Sequence, residues 1–190
     1  MDFGPVPWTA PLDAEAEIAA ISAQVTIRGV FVSPLADLVR KAGRAPAWLR
    51  PRYFPHENYP LSEHARLLVD VARMSAPQLN LRRALYKLGR LAVGAYLESL
   101  VGRVTLGSTD DPEVMLSAIA QGYRLSVRGA SARLVRFKQG EAVLQLEQVP
   151  YFLDCHHIGL IEQALSRCHV QAQTELAPLG RFSVAYRCTW

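Results

Sequence analysis

An α+β fold, with a helical N-terminal half packed on a small antiparallel sheet, is what this sequence predicts. Three observations carry it. Between residues 33 and 122 the apolar residues recur at helical spacing, broken by proline and glycine. From residue 123 onward "YRLSVRG", "ARLVRFKQ" and "AVLQLEQV" alternate with period two. A helical segment, "DCHHIGLIEQALSRC", then separates these from two further strand-like segments, "HVQAQTE" and "RFSVAYRCTW". Helices first and strands later is the order of an α+β domain.

In chain order, residues 1–12 carry three prolines and a glycine. They read as an irregular tail tied down by Trp8, followed by a single domain over 13–190. Asp13 caps a short helix over 13–22, with Glu15 and Glu17 at its positive end. "QVTIRGVFV" alternates and is β-branched, which predicts a strand. Ser33-Pro34 offers a capping hydroxyl followed by the residue best suited to the first helical position, and Gly43 ends that helix. The proline-rich "RAPAWLRPRYFPHENYP" packs on the body through Trp48, Tyr53, Phe54 and Tyr59. Residues 58–60 open a helix with Leu61, His64, Ala65, Leu68 and Val71 on one face. A longer helix runs from near Pro77 to about Val101, its stripe being Leu81, Leu85, Leu88, Ala92, Ala95 and Leu100. Gly89 and Gly94 inside it each cost about 1 kcal/mol relative to alanine, and point to close approach by another helix. Asp111-Pro112 repeats the cap-and-proline start, and Gly122 ends that helix. A turn at Gly140 joins two strands as a hairpin, and "LAPLG" links the last two.

The 190 residues, 50% hydrophobic and 20% charged, suit a folded domain with a sizeable core. No apolar run reaches the roughly 18 residues of a membrane span. The N-terminus lacks the basic and apolar regions of a signal peptide, so a cytoplasmic location is expected. The net charge of +4 is mostly scattered arginine. Arg83, Lys87 and Arg90 share a helical face, which reads as a solvated surface and not as a nucleic-acid site, since no zinc-finger or RNP-type motif accompanies it. Three cysteines, an odd number, argue against a disulfide framework and for a reducing compartment.

Cys155-His156-His157 is the stretch richest in chemistry. Asp154 precedes Ile158, Ile161, Leu165 and Cys168, at spacings of three, four and three, so Asp154 reads as an N-cap and the triplet as a first turn. Imidazoles at a helix N-terminus are held neutral. Cys155 and Cys168 are thirteen residues apart, about 20 Å at 1.5 Å per residue, too far to share a metal. His156 and His157 point about 100° apart, unlike an i, i+4 ligand pair. Side chains of adjacent helical residues do not face each other, so Cys155 and His156 make no nucleophile–base pair. No P-loop, Gly-x-Ser-x-Gly or Gly-x-Gly-x-x-Gly motif is present. A non-enzymatic protein without metal or cofactor is the expectation.

"IRGVFVSPLADLV", "YPLSEHARLLVDVA", "RRALYKLGRLAVGAYLESLVGR" and "GLIEQAL" before the terminal hairpin together resemble domain-of-unknown-function family 2378, a paralogous set in myxobacteria. The order of these segments and the Gly89-Arg90, Gly94, Tyr96 and Gly102-Arg103 pattern carry the resemblance, over residues 25–190. His64 stands where a tryptophan is expected. The terminal arrangement is also similar to haem-nitric-oxide-binding and vinyl-reductase-type sensor folds, which implies a domain that encloses a small ligand and signals. Haem domains of that type carry Tyr-x-Ser-x-Arg to hold the haem carboxylates. Here Tyr123, Ser126 and Arg128 are one residue too far apart, and on a strand Tyr123 would face away from the other two. The cysteines of the vinyl-reductase-type hairpin are missing from "TELAPLGRFSVAY".

The resemblance and the glycines facing a small sheet imply a sensor or adaptor domain around a small apolar or anionic ligand. Tyr96 would form the pocket wall, His64 would line it, and Arg90 and Arg103 would take an anionic head group. The alternatives are a haem or metal protein using His64 or His157, and a module that binds a protein partner or a second copy. The latter would expose Phe182, Tyr186 and Trp190, which share strand parity, or the Arg83-Lys87-Arg90 face.

Overall fold

The structure, a computed structural model, describes residues 1–98 and 109–190, with side chains up to residue 94 and from 109 onward. Helix α1 (Ala14–Ala19) starts as its sequence dictates, with Asp13 Oδ1 accepting from the Ala16 N–H at 3.0 Å. The strand expected over "QVTIRGVFV" is confined to β1 (Thr26–Arg28), and α2 (Gly29–Lys41) follows at once. Gly29, Val32, Ala36 and Val39 are buried at spacings of three, four and three, a helical stripe hidden by the local alternation. Pro34 therefore sits inside the helix and not at its start, at the cost of one ladder hydrogen bond.

Residues 58–60 likewise do not open a helix. They form β2 (Asn58–Pro60), antiparallel to β1, and α3 (Leu61–Ser75) begins at the next residue. Helix α4 (Leu81–Glu98) starts four residues after Pro77, with Asn80 Oδ1 accepting from the Arg83 N–H at 3.0 Å. Its expected end near Val101 lies outside the described residues. Asp111 caps α5 (Pro112–Ser126), accepting from the Glu113 N–H at 2.8 Å. That helix passes through Gly122 and takes up most of the expected "YRLSVRG" strand, leaving only β3 (Val127–Arg128). Leu116, Ile119, Ala120 and Tyr123 are all buried, so the apolar stripe runs through the glycine.

The four-stranded antiparallel sheet comprises β4 (Ser131–Lys138), β5 (Glu141–Glu147), β6 (Gln173–Gly180) and β7 (Ser183–Thr189), in the order β4-β5-β7-β6. Gly140, at φ +80°, supplies the left-handed residue of the β4–β5 turn. "LAPLG" belongs to β6 and not to a linker: β6 is an edge strand, where proline is tolerated. The N-terminal tail covers that edge, Gly4 pairing with Leu176. Phe3 packs on Val143, Ala177 and Ala185 on the sheet's outer face. Ala142, Leu144, Leu146, Val184, Tyr186 and Cys188 face the main core. Tyr186 is fully buried and faces the core, against the exposed aromatic face that the interaction-module alternative needs, whereas Phe182 and Trp190, beyond the two ends of β7, are half-buried.

Between β5 and β6 the chain forms α6 (His156–Arg167), which crosses α4 at backbone contact. A Cβ at Gly89 would lie 2.0 Å from the His156 carbonyl oxygen, and one at Gly159 would lie 2.1 Å from that of Tyr86. The two glycines face each other across one crossing, as the reading of Gly89 for helix packing predicts. Trp8 packs edge-on against Tyr86, at 5.0 Å between ring centroids, so the tail is tied down as expected. Among the described residues no helix is long and apolar enough to cross a membrane.

Candidate ligand site: a buried histidine cluster and the adjoining cleft

The helix crossing fixes α6 so that its first turn lies in the core. His156 and His157 are buried there, and His64, on the inner face of α3, joins them. Tyr151 is their common neighbour, with ring centroids 4.8 Å from His157, 5.8 Å from His64 and 6.3 Å from His156. Tyr123 of α5 covers another side of His157 at 5.5 Å. His157 Nδ1 lies 3.1 Å from the Phe152 carbonyl oxygen. Its Nε2, both ring nitrogens of His156 and Nδ1 of His64 are buried without a hydrogen-bond partner among the described residues.

Burial makes all three rings poor bases. His64 is lowered to about 3 and His157 to about 4, each chiefly by desolvation of the charged form. His156 is also pushed down, by burial and then by the other two imidazoles. The expectation of neutral histidines therefore holds, and burial is the dominant cause. Cys155 is the last residue before α6 and is also buried. Desolvation, and next the Asp154 charge, raise its thiol well above the usual range, the opposite of an activated nucleophile.

Asp154 does not cap α6. Cys155 occupies the cap position without a side-chain bond, and Asp154 forms an ion pair with Arg82 instead. Arg82 is buried at the start of α4 and donates to the carbonyl oxygens of Ala10 at 2.8 Å and Pro11 at 3.3 Å. A guanidinium held so far from water needs its counter-ion more than the helix needs a cap. Sequence reasoning missed Arg82. Its spacing from Leu85 and Gly89, three and then four residues, is the signal that places it on the inner face.

The segment before α6 is a strap fastened at several points. Phe152 is fully buried at φ +45°, a left-handed conformation costly for a bulky residue. Glu17 Oε2 accepts from its N–H at 2.9 Å, and its carbonyl oxygen faces His157. Tyr186 Oη donates to the Leu153 carbonyl oxygen at 2.6 Å. On the outer side of the strap is a half-open cleft of about 530 Å³, bounded by the tail, α1 and the β6–β7 hairpin.

The structure gives the predicted pocket residues different surroundings. His64 meets Tyr151, whereas Arg90 is half-buried at the α4–α6 joint, donating to Gln163 Oε1 at 2.9 Å and Tyr86 Oη at 3.3 Å. The Tyr96 side chain and Arg103 lie outside the described residues. No group of three or more His, Cys, Asp or Glu among the described residues is arranged to hold a metal ion.

The architecture is that of the haem-nitric-oxide-binding (H-NOX) fold. Unliganded Fe(II) H-NOX from K. algicida is 13% identical with a TM-score of 0.64, covering 86% of this chain and 96% of that one. A variant H-NOX from T. tengcongensis is 14% identical with a TM-score of 0.62, covering 86% and 97%. H-NOX from S. oneidensis in the Fe(II)NO state is 14% identical with a TM-score of 0.57, covering 85% and 98%. At such identities the likeness is one of fold. No curated protein matches the sequence. Residues 20–190 match the family described as a protein of unknown function, DUF2378, and the chain belongs to that family.

The described residues do not fit haem. A tetrapyrrole needs a slot of roughly 300 Å³ or more, yet tyrosine rings pack against His157 from two sides and the large cleft does not reach it. The carboxylate grip is missing as well, for a different reason than strand parity. Tyr123 and Ser126 are on the last turn of α5, Tyr123 pointing into the core, while Arg128 is exposed on β3.

Proposed function

We propose that this chain is a non-enzymatic sensor or adaptor domain that takes a small ligand in the cleft beside α1, in a fold whose interior is closed to haem. The observation that carries the reading is the packing around His157, against which Tyr123 and Tyr151 lie at 5.5 and 4.8 Å between ring centroids. The inert environment of Cys155 supports a non-catalytic role. Three unpaired cysteines accord with a reducing, cytoplasmic setting. The strap gives a ligand something to move: it joins the cleft to the first turn of α6 through Glu17, Phe152 and His157.

One observation favours a haem protein instead. His157 has its Nδ1 against a carbonyl and its Nε2 unpartnered, the arrangement of a histidine oriented to ligate a metal. Protein purified from iron-supplemented cells separates the two readings by its absorbance spectrum and native mass. A colourless protein, bare or carrying an added organic mass, is expected. A Soret band that disappears in His157→Leu overturns the proposal.

A further inference from the structure

We propose that the cleft between α1, the strap and the β6–β7 hairpin binds a small amphiphile with a protonated amine, its charge on Glu17 and its apolar body on Leu12, Leu176, Phe182 and Val184. This rests on the preceding reading and names its ligand class. The cleft of about 530 Å³ falls in the range of small-molecule sites.

The charges decide the sign of the ligand. Five charged side chains line the cleft: Asp13, Glu17, Asp154, Arg82 and Arg181. Arg82 is committed to Asp154 and to two backbone carbonyls. Arg181 is exposed at the hairpin tip, its guanidinium stacked on Phe182. Asp13 Oδ1 caps α1. Glu17 forms no ion pair among the described residues: it accepts from the Phe152 N–H and feels the charge of Arg82 only at a distance, opposed by that of Asp154. Desolvation by burial raises its carboxyl above the usual range, the mark of a carboxylate with too little counter-charge, which an ammonium would supply. An anion would meet that carboxylate and find the nearest buried cation, Arg82, already paired with Asp154.

The experiment is calorimetric titration of the full chain with three probes of one shape: 3-phenylpropylammonium, 3-phenylpropanol and 3-phenylpropionate. The ammonium is expected to bind at least tenfold more tightly than the alcohol, and the carboxylate more weakly than either. Glu17→Gln keeps an acceptor for the Phe152 N–H and should lower ammonium affinity about tenfold without lowering the melting temperature. Ala16→Trp, on the exposed face of α1, should fill the cleft and abolish binding. Equal affinity for the alcohol, stronger binding of the carboxylate, an unaffected Glu17→Gln variant, or no binding of any probe each overturns the proposal. None of those outcomes produces a Soret band, so failure of the amine assignment is distinct from failure of the haem-free reading.

Discussion

Acidification should destabilise this protein well before its carboxylates titrate. In the unfolded chain each histidine takes up its proton near pH 6.5, whereas in the folded state His64 waits until about pH 3 and His157 until about pH 4. The unfolded state thus binds more protons between those limits, and stability rises with pH across the window. Each proton is worth about 1.4 kcal/mol per pH unit, and in the unfolded chain each imidazole is only half protonated at pH 6.5, so these two residues remove about 2 kcal/mol between pH 6.5 and 5.5 and about 3 kcal/mol between pH 7.5 and 5.5. His156 is shifted in the same direction and adds to the loss. Glu17 and Asp70, whose carboxyls are raised mainly by burial, act in the opposite sense as they take up protons in the folded state. A domain stable by roughly 5–15 kcal/mol loses a large fraction of that margin. Urea denaturation followed by tryptophan fluorescence at pH 7.5, 6.5 and 5.5 measures the slope. His64→Leu should remove about one proton from it. His156→Leu should also raise stability at pH 7 by about 1 kcal/mol, because two buried ring nitrogens without partners disappear. A stability unchanged to within about 1 kcal/mol between pH 7.5 and 5.5 refutes the reasoning, and so does a wild-type slope in His64→Leu.

The helix crossing and the buried ion pair give further tests. Gly89→Ala and Gly159→Ala each place a methyl about 2 Å from a carbonyl oxygen of the opposing backbone. Each should cost about 3 kcal/mol or more in chemical denaturation, at the upper end of overpacking, whereas Gly94→Ala, with nothing within 4 Å among the described residues, should gain about 1 kcal/mol. Arg82→Met removes the anchor of the tail and strands Asp154, at about 3 kcal/mol; pairing it with Asp154→Asn should recover part of that loss. Cys155 should react with a thiol reagent only at the rate of unfolding, since it is buried and its thiolate is disfavoured.

The sequence is most legible where one local signal acts without a competitor. Asp13 and Asp111 cap their helices as read, Gly140 turns its hairpin, and Gly89 marks a close crossing. It misleads where a local rule meets a tertiary demand. Ser33-Pro34 has the chemistry of a helix start, but the buried stripe reaches back to Gly29 and the helix starts there. Gly122 has the chemistry of a stop, but Tyr123 extends the apolar face and the helix continues. Asp154 has the chemistry of a cap, but Arg82 claims it. That partner is 72 residues away in sequence, and no local pattern reveals it.

The same contrast separates the H-NOX-like frame of this chain from what fills its interior. The frame depends on helix α4 crossing α6 and on a sheet ordered β4-β5-β7-β6, features set by glycines and apolar parity. Occupancy of the interior depends on a few ring-sized choices: Tyr123, Tyr151 and the three histidines. These rings fill the volume beside α6 with side chains whose polar atoms are incompletely satisfied among the described residues. A core optimised for stability alone would place leucine or phenylalanine there. Three neutral imidazoles next to a strap held in a left-handed conformation are a costly way to close a core. That strain, stored in the strap, is what the proposed response to a filled cleft would draw on.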